Sequence, residues 1–192
     1  MKRLLLIACG LLALSAIAVS IAVELEAPYR RDTFGSATAP RAALVLYHPS
    51  RDAGFSDELS LAFAQAAAAA GLRVDRATLT AETPARPVGY ELVAVVTNTY
   101  YWSPDLPTLR YLERARLEGM TVVGIVGGAG STTRAERLLG EALRKTGGRV
   151  FATTSVWMWR PNDETRMDAP NREVALAQVR ALAARALRQQ PE

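Results

Sequence analysis

Twenty consecutive residues without a charge, 4–23, follow a short basic start of Lys2 and Arg3. That matches the ~20 apolar residues a helix needs to cross a bilayer. Beyond it, short apolar runs alternate with longer amphipathic stretches. Residues 42–47 (AALVLY), 92–96 (LVAVV) and 121–126 (TVVGIV) are nearly unbroken apolar runs rich in β-branched types. Such runs read as strands buried on both faces. Residues 72–79 and 149–155 complete a set of five. Between the strands, apolar positions recur near helical spacing: Leu59, Phe63 and Ala66; Leu106, Leu109 and Leu112; Leu138, Leu139 and Leu143; Leu176, Val179 and Ala183. Asp57 and Glu58 suit the first turn of the first of these helices. Gly71 suits its end, and Asn171 is a candidate cap for the last helix. Strands alternating with helices predict a parallel sheet covered on both faces. Residues 80–89 carry Pro84 and Pro87 and read as irregular. Residues 24–41 read as a tether to a domain spanning 42–190.

The third predicted strand opens onto Thr97, Asn98, Thr99, Tyr100, Tyr101 and Trp102, read as a polar and aromatic loop. Pro104 and a helix containing Leu109-Arg110-Tyr111-Leu112-Glu113-Arg114 follow. In open parallel sheets, ligands bind beyond the carboxyl ends of the strands. This loop is therefore a candidate for stacking on a flat ligand. The buried strand, Tyr-Trp loop, proline turn and Leu-Arg-x-Leu-Glu-Arg helix together resemble the flavodoxin-like FMN proteins. The branch with NAD(P)H-dependent flavin and quinone reductases is the nearest in pattern. The resemblance covers about residues 42–189. It implies a three-layer, doubly wound α/β sandwich with a five-stranded parallel sheet in the order 2-1-3-4-5.

The same resemblance implies three ligand loops. Flavodoxins hold the FMN phosphate after the first strand with the pattern Thr/Ser-x-Thr-Gly-x-Thr. The aligned stretch here is Arg51-Asp52-Ala53-Gly54-Phe55-Ser56, in which Gly54 and Ser56 match while Arg51 and Ala53 depart. A helix N-terminus with Ser50, Ser56 and Arg51 suits an anion; a plain connection capped by Ser56 is the competing reading. Tyr101 or Trp102 would stack on the isoalloxazine ring, or form a packing plug. Gly127, Gly128 and Gly130 after the fourth strand would let backbone approach the ring edge, or serve as a connector. His48 opens the loop after the first strand, as a proton donor near the flavin or as a structural hydrogen-bonding group. Trp157 and Trp159 would cover the site or pack.

Composition narrows the field. One cysteine and one histidine exclude a zinc site built from those residues and an intrachain disulfide. The net charge is +4, and 21 of the 23 basic residues are arginine, scattered among acids rather than gathered in a nucleic-acid-binding stripe. No phosphate loop of the Gly-x-x-x-x-Gly-Lys type and no Gly-x-Ser-x-Gly elbow occurs. The expectation is a membrane-tethered protein that binds FMN non-covalently. It would serve as an electron carrier or as a reductase acting with NAD(P)H or a quinone-type substrate, with no nucleic-acid partner. The alternative is a cofactor-free binding or assembly module at the membrane. Residues 4–23 serve as a single-pass anchor or as a cleaved signal, since Ala16-Ile17-Ala18 and Ser20-Ile21-Ala22 have cleavage-site spacing. Lys2 and Arg3 are nearly balanced by Arg30, Arg31 and Arg41, so charge does not assign the side of the membrane.

Overall fold

The computed structural model describes residues 2–25, 27–50 and 54–189. Helix α1 (Lys2–Val23) leads into β1 (Arg31–Phe34), β2 (Ala42–Tyr47), α2 (Phe55–Ala69) and β3 (Arg73–Thr78). There follow β4 (Leu92–Tyr100), β5 (Ser103–Pro104), α3 (Leu106–Arg114), β6 (Thr121–Gly128), α4 (Thr133–Lys145), β7 (Arg149–Trp157) and α5 (Asn171–Arg188). Strands β3, β2, β4, β6 and β7 lie parallel in that spatial order. This is the 2-1-3-4-5 arrangement expected above.

The sheet has seven strands, not five. β1 adds to the outer edge of β3 in antiparallel register, Thr33 opposite Asp75. β5 folds back on β4 as a short hairpin. The reading of 24–41 as a tether missed β1 because its sequence, Arg-Asp-Thr-Phe, has no apolar alternation. Polar groups fasten it instead: Thr33 Oγ1 donates to Asp75 Oδ1 at 2.7 Å, and Arg31 pairs with Asp75 at 2.9 Å.

Successive strand residues point to opposite faces. Val45, Ala94, Val123 and Ile125 face α2 and α5, where Leu59, Phe63, Val179 and Leu182 meet them. Leu46, Val93, Val95 and Val122 face α3 and α4, packing with Tyr111, Leu139 and Leu143. Gly124 sets the approach of α4. A Cβ there would lie 2.8 Å from Leu143 Cδ1 and 2.9 Å from Leu139 Cδ2, so any side chain would force those leucine tips to repack.

Among the described residues, no helix is long and apolar enough to cross a membrane. Many α1 side chains lie outside the described residues. The structure therefore does not support the membrane segment expected at 4–23.

Candidate functional site

The carboxyl ends of β2, β4, β6 and β7 converge at one edge of the sheet, where the three expected loops lie. The first follows β2. Ser56 is fully buried, and its hydroxyl closes the loop on itself: Ser50 N donates to Ser56 Oγ at 2.7 Å, and Ser56 Oγ donates to His48 O at 2.7 Å. Ser50 Oγ in turn accepts Ser56 N–H at 3.3 Å. Phe55 is buried in the core among Leu59 and Val156. Gly54 takes the left-handed conformation, φ +72°, and supplies no side-chain cap of its own; the Ser56 N–H of the first turn goes to Ser50 Oγ instead. An α-helix begun this way presents backbone donors to an anion. The first-turn acids that would repel one are both paired, Asp57 with Arg76 and Glu58 with Arg172. Arg51 lies outside the described residues.

The second element was read as a loop from residue 97 onward. In the structure β4 continues through Thr97, Asn98, Thr99 and Tyr100, with Asn98 opposite Gly127 of β6. The polar side chains stay in the strand because Asp105 satisfies them. Its Oδ2 accepts from Thr97 Oγ1 at 2.8 Å and from Asn98 N at 2.8 Å. Its Oδ1 accepts Thr108 N–H at 2.9 Å, capping α3. Asn98 Nδ2 donates to His48 O at 2.8 Å. Thr97 and Asn98 are thus buried braces. Thr99 Oγ1 is buried without a hydrogen-bond partner among the described residues.

Tyr101 and Trp102 form a two-residue turn joining Tyr100 to Ser103. Both have positive φ, 52° and 59°. A hairpin turn with two left-handed residues favours Asn-Gly. Bulky aromatics there store ~1–3 kcal/mol each. These two rings stand 65% and 58% exposed.

Gly127 and Gly128 end β6 rather than opening a loop. A Cβ on Gly128 would meet Thr132 Cγ2 at 2.6 Å and Thr99 Oγ1 at 3.1 Å, so its bareness seats the next turn against β4. Gly130 lies at the tip, with Arg160 Cβ 3.4 Å from its would-be Cβ. The chain after β7 closes over this turn. Met158 N donates to Gly128 O at 2.9 Å, and Trp157 Nε1 donates to Thr132 Oγ1 at 2.7 Å. Asn171, expected as the cap of α5, is instead its first residue; its amide donates to the carbonyls of Trp157, Met158 and Arg160. Trp157 is a brace, stacked under Arg160. Trp159 is 81% exposed beside the glycine turn.

Sequence reasoning missed Asp105, although an Asp just before Leu-Pro is a recognisable helix start. It also missed the N-terminal arm. Glu24 Oε2 accepts Leu106 N–H at 2.6 Å, and Leu25 O lies 3.1 Å from His48 Nε2. His48 Nδ1 sits 3.5 Å from Asp105 Oδ2, an ionic contact rather than a hydrogen bond. Burial alone would push the imidazole down, but the nearby Asp105 carboxylate overrides it and holds His48 above its ordinary value. Burial would likewise raise Asp105, but His48 and the Thr108 and Asn98 donors hold it below the usual carboxylate range. Burial, reinforced by the charge of Asp105, pushes Glu24 up. Between the end of α1, the hairpin and α3 lies a cavity of about 530 Å³, lined in part by Leu25, Tyr101, Pro104, Leu106 and Arg110.

The carboxyl edge offers a flat ligand some of the groups it would need. Thr99 holds a buried, orphaned hydroxyl near the carboxyl end of β4, the hairpin presents exposed rings on a strained backbone, and Gly54 gives α2 no side-chain cap of its own. The fit at Ser56 is poorer, since its hydroxyl is already engaged.

No family model matches the chain, and no curated protein does. Solved structures do. Flavodoxin 2 from Bacillus cereus superposes with a TM-score of 0.60 at 14% identity, over 78% of this chain and 99% of that one. A flavodoxin from the domain Archaea gives 0.57 at 16% identity, over 76% and 99%. The apo form of an NADH:FMN oxidoreductase gives 0.58 at 14% identity, over 79% and 91%. The chain therefore has the α/β flavodoxin-like fold, with a mostly parallel sheet.

Proposed function

We propose that this chain binds FMN non-covalently at the carboxyl edge of its sheet and takes part in electron transfer or in NAD(P)H- or quinone-linked reduction, held at a membrane by residues 4–23. The observation that carries the reading is the Tyr101–Trp102 turn. Two exposed aromatic rings on a left-handed backbone, at the carboxyl end of the central strand, are costly to keep unless they meet a ligand. Bound FMN would supply one- and two-electron chemistry. The chain would supply the site: Tyr101 or Trp102 against the ring, and the α2 N-terminus at Gly54 toward the phosphate. Since Ser56 is engaged, backbone rather than hydroxyl groups would carry the phosphate contact. A quinone-type substrate suits the apolar cavity beside Tyr101.

Titration of the purified full-length chain tests this. FMN fluorescence should be quenched on binding, and riboflavin should bind at least about tenfold more weakly, because a helix N-terminus favours an anion. Trp102→Ala should weaken both ligands alike. A colourless chain that takes up neither ligand at high micromolar concentration would establish the second reading, a cofactor-free binding or assembly module. The engaged Ser56 hydroxyl favours that reading.

A further inference from the structure

We propose a second ligand site, on the α3/α4 face of the sheet and independent of the flavin reading, that binds a flat apolar anion: a ring system bearing a carboxylate or phosphate. Between β3 and β4 the chain runs through 79–91 without a helix. A cavity of about 470 Å³ lies between this stretch and the sheet, within the ~300–1,000 Å³ of small-molecule sites. Its floor is Leu44, Leu46 and Ala77, from the strands. Its walls include the planar rings of Tyr29 and Tyr90 and the apolar rings of Pro84 and Pro87.

The covering stretch is fixed. Arg114 donates to Thr83 O at 2.6 Å and to Thr80 O and Ala81 O at 3.0 Å, and Arg116 N donates to Ala85 O at 2.7 Å. The cavity is thus preformed rather than a gap beneath a loose loop.

Charge specifies the ligand. Three arginines, Arg31, Arg73 and Arg86, line the cavity, and one carboxylate, Asp75, faces them. Asp75 is already satisfied: it accepts from Tyr90 Oη at 2.7 Å and Thr33 Oγ1 at 2.7 Å, and pairs with Arg31 at 2.9 Å. Burial, then Asp75, pushes the Tyr90 phenol up to about 12, so it remains a donor. Arg31 and Asp75 cancel. Arg73 Nε is buried without a hydrogen bond, its nearest carboxylate oxygen 3.9 Å away. Arg86 is exposed and has no hydrogen bond or ion pair among the described residues. Three guanidinium groups are thus set against the one Asp75 carboxylate, Arg73 only at 3.9 Å, and Arg86 has no ion pair among the described residues, so the border of the cavity is net positive. Planar guanidinium groups select carboxylate and phosphate oxygens.

Calorimetry on the full-length chain tests the site with 2-naphthoate, 2-naphthyl phosphate and the neutral naphthalene-2-carboxamide. At least one of the two anions should bind, about tenfold or more tighter than the amide. The tighter of the two identifies the headgroup. Arg73→Gln and Arg86→Gln should each weaken that anion severalfold, and the double variant should abolish its binding while FMN uptake is unchanged. Arg86 is exposed, so its variant reports even if Arg73→Gln folds poorly. The proposal is overturned if neither anion binds at millimolar concentration, if the amide binds equally well, or if Arg86→Gln leaves anion affinity intact. Failure of FMN to bind would count against the flavin reading alone.

Discussion

At the scale of single residues, Asp105 does the most to fix the site, because it gathers three donors from β4 and α3 into one buried carboxylate. It lies beside His48, whose other ring nitrogen meets the Leu25 carbonyl of the N-terminal arm. The two groups have opposite pH signatures. The His48 value is raised on folding, so its contribution is complete below the ordinary imidazole value and is lost as pH rises through the folded value. The Asp105 value is lowered, so its contribution is present above the ordinary carboxylate value and is lost as pH falls through the folded one. The pair therefore stabilises most between about 4 and about 6.5, the two ordinary values, and fades as pH rises through the folded His48 value. Urea denaturation at about pH 5 and about pH 8 should show the chain losing stability at the higher pH. In His48→Gln that loss should shrink. An unchanged pH difference in the variant would mean that His48 does not couple to Asp105. None of this was legible from the sequence beyond His48 itself, because the partners lie 23 and 57 positions away along the chain and only the fold brings them together.

At the scale of elements, the parallel strands and their order followed the apolar runs and the resemblance, while the polar elements were misread. β1 is charged and the second half of β4 is polar, so hydrophobic pattern could not find either. Thr97 and Asn98 remain in the strand because a neighbouring helix cap supplies their partners, an arrangement that depends on tertiary contact. Likewise Gly127 and Gly128, expected to approach a ligand, make room for Leu59 and Thr132. The hairpin they adjoin gives the sharpest test of whether strain serves binding. Replacing Tyr101-Trp102 by Asn-Gly installs the residues this turn favours. The double variant should gain on the order of 2 kcal/mol or more in chemical denaturation, by relief of left-handed strain at two residues. Its FMN affinity should fall on the order of tenfold, or ~1.4 kcal/mol, for want of a stacking face. Gain without loss would make the aromatic turn a packing feature only; no gain would mean that the backbone there is not strained.

At the scale of the whole molecule, the N-terminal arm decides how the site is presented. Residues 4–23 carry no charge, and their number matches the ~20 that a bilayer-crossing helix needs. Membrane attachment is a proposal resting on that sequence alone. Its consequence is geometric. The arm is pinned within two residues of α1, by Glu24 to Leu106 and by Leu25 to His48. A bilayer holding α1 would then lie near α3 and the hairpin, where Tyr101, Trp102 and Leu106 are exposed. Aromatic side chains with one wet edge favour the membrane interface. The full-length chain should stay in the membrane fraction through alkaline carbonate washing. Reconstituted into vesicles containing brominated lipid, it should show quenched tryptophan fluorescence, and Trp102→Phe should remove most of that quenching while Trp159→Phe removes little. A soluble chain beginning near residue 23 would identify the segment as a cleaved signal and end the anchor reading. Membrane retention with quenching indifferent to Trp102 would instead turn the hairpin away from the bilayer, leaving the cavity beside it open to a soluble partner rather than to a quinone arriving through the lipid.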